Sequence, residues 1–149
     1  MRWFLFTAGL IVIDQLSKLL VSHLGWSIFF NDQFAFSLPV PIILMFAIYI
    51  LVLVGISFYV FRSWNQLNNL QRWAWVLVYA GGLSNILERI VLGHVRDFIY
   101  IANGILNVAD FYILAGLVLL LISQRYNSNS VAVVSADSSS ASPSSSEKL

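Results

Sequence analysis

Cysteine is absent and charge is scarce: Asp, Glu, Lys and Arg make up 10% of the 149 residues, against about 25% in an ordinary soluble domain. Without cysteine there can be no disulfide, no thiolate metal ligand and no cysteine nucleophile. The two histidines, His23 and His94, are too scattered to read as a zinc site. Neither an H-E-x-x-H helix nor a G-x-S-x-G elbow occurs, so zinc-peptidase and serine-hydrolase signatures are missing. A net charge of +1 with no basic stripe offers nothing to grip nucleic acid. What the chain does have is apolar surface. Hydrophobic residues make up 59% of it, aromatics 15%, and the mean hydropathy is +0.82, a balance that suits lipid better than water.

A hydrocarbon core about 30 Å thick takes about 20 apolar residues per helix. Four such runs are present, at about 3–21, 40–61, 73–91 and 108–122. With short links they nearly use up the chain, so any chemistry has to occur in or at the membrane. The first run holds Asp14 and Lys18 and has no clear small-residue cleavage site. It therefore reads as a retained transmembrane helix and not as a secretory signal peptide. Pro39 and Pro41 suit the start of the second. If the helices alternate, Arg2, Arg62, Arg72 and Arg125 fall on one side, a modest bias that puts both termini in the cytoplasm. Residues 127–149 are Ser-rich and low in complexity, and are expected to form a disordered cytoplasmic tail behind a four-helix transmembrane domain of residues 1–126. The two outer connections, 25–38 and 95–106, read as short extended segments, the second with a tight-turn signal at Asn103-Gly104.

Ionisable residues at membrane depth are unfavourable and default to functional hypotheses. They form three groups. Asp14 and Lys18 are spaced i, i+4 on one helix face, either as a structural ion pair or in contact with substrate or other site residues. In residues 81–98, Gly81 and Gly82 permit close helix approach, Asn85 and Arg89 share a face, and Asp97 follows on the extended segment. Glu88, Arg89, Arg96 and Asp97 could also simply satisfy one another at the interface. At the start of the fourth run, Asn107 can cap the helix, with Asp110 at the third position favouring the helix dipole. Both Asp97 and Asp110 lie at the same membrane boundary, joined by a hairpin-like segment that can bring them face to face. Two close carboxylates do not both ionise readily, so such a pair shares a proton. One member can then activate water while the other polarises a carbonyl, which is the minimum machinery for peptide hydrolysis.

These residues resemble the motifs of the lipoprotein signal peptidase (signal peptidase II) family. Asp14-Gln15 with Lys18 is similar to the family's D-Q-x-[ST]-K, and residues 31–37, NDQFAFS, to N-x-G-x-A-F. Residues 81–98 resemble G-G-x-x-N-x-x-D-R followed by G-x-V-x-D-F, and residues 106–113 resemble F-N-x-A-D-x-x-I. The four motifs occur in order on four spans. Departures are Gln33 and Ser84 for Gly, Glu88 for Asp and Leu106 for Phe.

The resemblance implies an all-α integral membrane fold of four transmembrane helices with a small extracytoplasmic β-cradle, in the bacterial cytoplasmic (inner) membrane. It implies Asp97 and Asp110 as a catalytic dyad, with Asn85, Arg89 and Asn107 orienting dyad or substrate. Asp14, Lys18, Asn31 and Phe36 would support the site. The implied substrate is a diacylglyceryl-modified prolipoprotein, cut before its lipidated cysteine, with no metal and no cofactor. Membrane lipid is the expected surrounding, nucleic acid is not a partner, and the default state is a monomer. The aromatic-rich first outer segment, with Trp26, Phe29, Phe30, Phe34 and Phe36, could hold acyl chains and exclude water. A small transporter or proton-relay protein is the main alternative, since intramembrane charges also mark ion paths; an accessory protein whose polar cluster only specifies packing is another.

Overall fold

The computed structural model describes residues 2–32, 41–102 and 104–140, with the side chains of residue 42 and of residues 126–140 left aside. Four helices, α1 (Arg2–His23), α2 (Ile42–Ser63), α3 (Asn69–Leu92) and α4 (Val108–Ser140), alternate with four three-residue strands. These are β1 (Phe29–Asn31), β2 (Val95–Asp97), β3 (Ile99–Ile101) and β4 (Gly104–Leu106). Each helix contains a stretch long and apolar enough to cross a membrane, that of α4 being Val108–Arg125. The exterior of the bundle is apolar, with Phe4, Leu51, Phe58, Ile90 and Leu121 among its exposed residues, whereas Asp14, Lys18, Glu88, Arg89 and Asp97 are buried. That inversion of a soluble protein is what lipid as solvent selects.

Local chemistry sets the helix ends. Asn68 and Gln71 form a reciprocal capping box (Gln71 N to Asn68 Oδ1, 2.9 Å; Asn68 N to Gln71 Oε1, 3.1 Å), so α3 starts ahead of its apolar run, at Asn69 and not at about 73. It ends where Gly93 takes φ +80° and its N–H closes on the Arg89 carbonyl at 3.1 Å, a left-handed stop that favours glycine. The fourth helix departs most from expectation. It runs to Ser140, into the segment expected to be disordered from residue 127. No Gly or Pro falls between Gly116 and Pro143, so the covalent chain holds no breaker where the apolar run ends. Residues 141–149 lie outside the described residues.

The closest packing is between α3 and α4, with α1 against α3. Two glycines make it possible. A Cβ on Gly81 would fall on the Ala109 carbonyl and the Ile113 side chain, and one on Gly116 would lie 2.6 Å from the Ala74 carbonyl. Small residues of this kind let membrane helices approach. Gly82, expected to do the same, has no such neighbour and instead lines a cavity. At the far end of the bundle, Trp3 packs edge-on against Trp73 and Trp64, with ring centroids 5.1 and 6.0 Å apart.

The strands form two antiparallel pairs at the end where α3 finishes and α4 begins. In the first, Phe29 faces Asp97 and Asn31 faces Val95; in the second, Ile99 faces Leu106 and Ile101 faces Gly104. Gly104 is therefore a strand residue, and the turn comes earlier than the Asn103-Gly104 signal suggested, with Ala102 at φ +45°. Asn103 itself lies outside the described residues.

Candidate active site

Strand alternation aims the residues of β2. Val95 and Asp97 point one way and are buried (1% and 2% exposed), lining a cavity of about 1040 Å³ between α2, α3 and α4. Arg96, between them, points the other way. Asp110 enters the same cavity from the first turn of α4, as do Asn85 and Arg89 from α3, Asn31 from β1 and Asn107 from the β4–α4 junction. Below this polar head the walls become apolar, with Val52 and Ile56 of α2 facing Val78 of α3 and Ile113 and Leu117 of α4. Those α2 positions, with Tyr49 one turn earlier, form a single helical stripe.

Asn107 joins the two carboxylates. Its Nδ2 donates to Asp97 Oδ1 at 2.6 Å and its backbone N–H to Asp110 Oδ2 at 3.0 Å, while its Oδ1 accepts from the Asp110 N–H at 3.1 Å. The other oxygen of each aspartate is also engaged. Asn31 Nδ2 donates to Asp97 Oδ2 at 2.9 Å, and Asn85 Nδ2 donates to Asp110 Oδ1 at 3.0 Å. Capping and site-building are thus not rival roles: Asn107 and Asp110 close the start of α4 and in doing so present Asp110 to the cavity.

Asp14 and Lys18 form the expected ion pair, 2.8 Å apart and fully buried, but they do not line the cavity. They stand behind it. Lys18 Nζ donates to Asn85 Oδ1 at 3.2 Å, and Asp14 Oδ1 accepts from the Ala109 N–H at 2.8 Å. The ion pair is therefore present, and it also reaches Asn85 on the cavity wall. Arg89 lies with its guanidinium 5.4 Å from the centre of the Tyr49 ring, on the cavity wall. Phe36, Phe34 and Gln33 lie outside the described residues.

Four contributors had no site role assigned from the sequence, although Gln15, Ser84 and Glu88 fall within the motifs. Tyr49 of α2 lines the same cavity as Asp97 and Asp110, and its signal is faint because aromatics are ordinary in membrane helices. Gln15, Ser84 and Glu88 complete the buried network behind it: Gln15 Nε2 donates to Ser84 Oγ (2.8 Å), and Ser84 Oγ donates to Asp14 Oδ2 (2.7 Å). Glu88 pairs with Lys18 at 2.9 Å and with Arg96. Ser84 and Glu88 are two of the motif departures. No cluster of metal-ligating residues occurs among the described residues.

The comparisons with known proteins agree with this fold. The family model described as signal peptidase (SPase) II matches residues 6–125. A lipoprotein signal peptidase of Streptococcus pyogenes serotype M1 is 30% identical over 130 residues, covering 76% of this chain and 86% of that protein. One from serotype M5 is 29% identical with the same coverage. Two solved bacterial membrane enzymes share the fold. One has a TM-score of 0.73 at 22% identity, over 85% of this chain and 89% of its own; the other has 0.70 at 23%, over 83% and 92%. The transporter or proton-relay alternative finds no support in any of them. A membrane-spanning four-helix peptidase with small antiparallel sheets is what fold and kinship describe together, and the chain belongs to the signal peptidase II family.

Proposed function

We propose that the protein is an aspartic endopeptidase that removes signal peptides from diacylglyceryl-modified prolipoproteins, cutting before the lipidated cysteine, with Asp97 and Asp110 as its catalytic pair. The observation that carries this reading is the Asn107 bridge, which fixes two carboxylates on one wall of one cavity. Two such groups share a proton. The ionised member takes a proton from water as its oxygen attacks the scissile carbonyl carbon, and the protonated member passes its proton to the carbonyl oxygen. The first carboxyl then protonates the leaving nitrogen, the C–N bond breaks, and the second recovers its proton as the new acid forms. No metal or cofactor takes part.

Asn31, Asn85 and Asn107 supply N–H donors that hold the carboxylates in register. Arg89 orients the substrate from the cavity wall, and Asp14 and Lys18 support Asn85 and the start of α4. Phe36 is assigned to the supporting shell on the motif resemblance alone. The apolar stripes below the dyad suit a helical, lipid-anchored segment whose scissile bond sits at the membrane boundary. In this reading the site lies at the extracytoplasmic face, with both termini in the cytoplasm and lipid around a monomer.

The test is signal-peptide release from a diacylated lipobox substrate by purified protein in detergent, read on a gel. The wild type cleaves and chelators have no effect. Asp97→Asn and Asp110→Asn abolish cleavage while thermal unfolding stays cooperative. Cleavage surviving either substitution refutes the dyad.

A further inference from the structure

Arg96 is the one charged residue of β2 that turns away from the cavity, and its surroundings are unusually complete. Its backbone N–H donates to Glu88 Oε2 at 3.1 Å, its Nε to Glu88 Oε1 at 2.7 Å, and its Nη2 pairs with the same Oε1 at 2.5 Å. Nη2 also reaches Gln15 Oε1 at 3.4 Å. The contacts close into a ring of six side chains. It runs from Asp14 to Lys18, Glu88, Arg96, Gln15 and Ser84 and back to Asp14. Two acids and two bases make it formally neutral. Three elements contribute, α1, α3 and β2.

The ring touches the neighbour of each proposed catalytic carboxyl. Lys18 holds Asn85, which holds Asp110; Asp14 holds the N–H of Ala109, one residue before Asp110; and Arg96 is covalently next to Asp97. A three-residue strand has little of its own to fix its position, since among the described residues β2 pairs only with the equally short β1. The hold of Arg96 on Glu88 supplies what the sheet does not: two guanidinium nitrogens converge on Oε1 while the backbone N–H takes Oε2, so the carboxylate is gripped at both oxygens and held in angle as well as distance.

We infer that Arg96 is a positioning residue for the hydrolysis: its clamp on Glu88 sets β2 against α3 and so fixes where Asp97 stands relative to Asp110. This rests on the dyad reading above. Displacing a reacting group by about 1 Å can lower the rate about a hundredfold without touching binding. The effect is therefore expected in kcat and not in KM.

The experiment compares wild type, Arg96→Met, Arg96→Lys and the double variant Arg96→Met/Glu88→Gln, with Asp97→Asn as reference, on the diacylated substrate. Rates are taken per folded enzyme, using the monodisperse fraction and the thermal unfolding midpoint. Arg96→Met is expected to lower kcat about a hundredfold at unchanged KM and to alter the spacing of the two limbs of the pH–rate profile, which reports how the pair shares its proton. Arg96→Lys, keeping the charge but not the fork, recovers part of the rate. The double variant removes both charges and recovers the unfolding midpoint but not kcat. If Arg96→Met keeps wild-type kcat per folded molecule, or if the double variant regains it, Arg96 is only a charge partner and the inference falls. If Asp97→Asn still cleaves, the dyad reading fails instead.

Discussion

Asn107 has the densest role of any single residue in the site, because one side chain and its own N–H make three bonds to two aspartates. Asn107→Asp separates its two duties. A carboxylate can still accept the Asp110 N–H, so the helix start keeps its cap, and the stability change stays within about 1 kcal/mol on that account. The same change replaces the donor to Asp97 with an acceptor and sets a third carboxyl against the pair, which would disrupt the proton sharing proposed for it. The expected result is a near-normal amount of folded protein with little or no cleavage. Recovery of cleavage would show that the cap alone matters. Charged residues like Asp97 and Asp110 are legible in the sequence because an acid in an apolar chain stands out at any register. Gln15 and Ser84 are not: an uncharged polar residue on a helix acquires meaning only once the rotation of that helix against its neighbours is known.

Between elements, the decisive contact is that of α3 with α4, because Asn85 and Asp110 meet across it. Gly81 and Gly116 bring the two backbones together, and neither position has space for a methyl group. Gly81→Ala and Gly116→Ala are each expected to destabilise the bundle by about 1–3 kcal/mol, read as a lower unfolding midpoint in detergent. Gly81→Ala, one turn from Asn85, is expected to lower kcat as well. Gly9→Ala and Gly55→Ala, with nothing within 4 Å, serve as controls and should leave both unchanged. The helices themselves are readable from their apolar runs, and so is the placement of extended segments between them. The terminus of α4 is not, since a polar, Ser-rich stretch without Gly or Pro favours neither helix nor coil strongly enough to mark a boundary. The turn of β3–β4 is misplaced for a related reason. Asn-Gly is the strongest local signal in that segment, but the pairing of Ile101 with Gly104 overrides it.

For the molecule as a whole, polarity is gathered at one end, and the aromatic residues of the first outer segment sit beside it. Trp26, Phe29 and Phe30 are exposed, at 62%, 47% and 59%, and Phe29 also lines the cavity. Their Ala variants are expected to raise KM for a diacylated substrate severalfold while leaving kcat near wild type, since they would hold acyl chains and not reacting atoms. Equal KM values for wild type and the triple variant would remove that role. The family identity of the chain was legible from four ordered motifs. The neutral ring behind Asp97 and Asp110 was not, because its members come from two distant stretches of sequence, residues 14–18 and 84–96, and no spacing rule connects them.

The cavity is walled by three helices whose outer faces are themselves apolar, with its lower portion lined by Val52, Ile56, Val78 and Leu117. A substrate reaching it from the bilayer is confined to two dimensions, so encounter depends on how many substrate molecules share the same membrane area. Bulk molarity is then the wrong variable for this enzyme. Its working affinity is a mole fraction in the lipid or detergent phase, and any inhibitor built for the cavity gains as much from partitioning into that phase as from the contacts it makes on arrival.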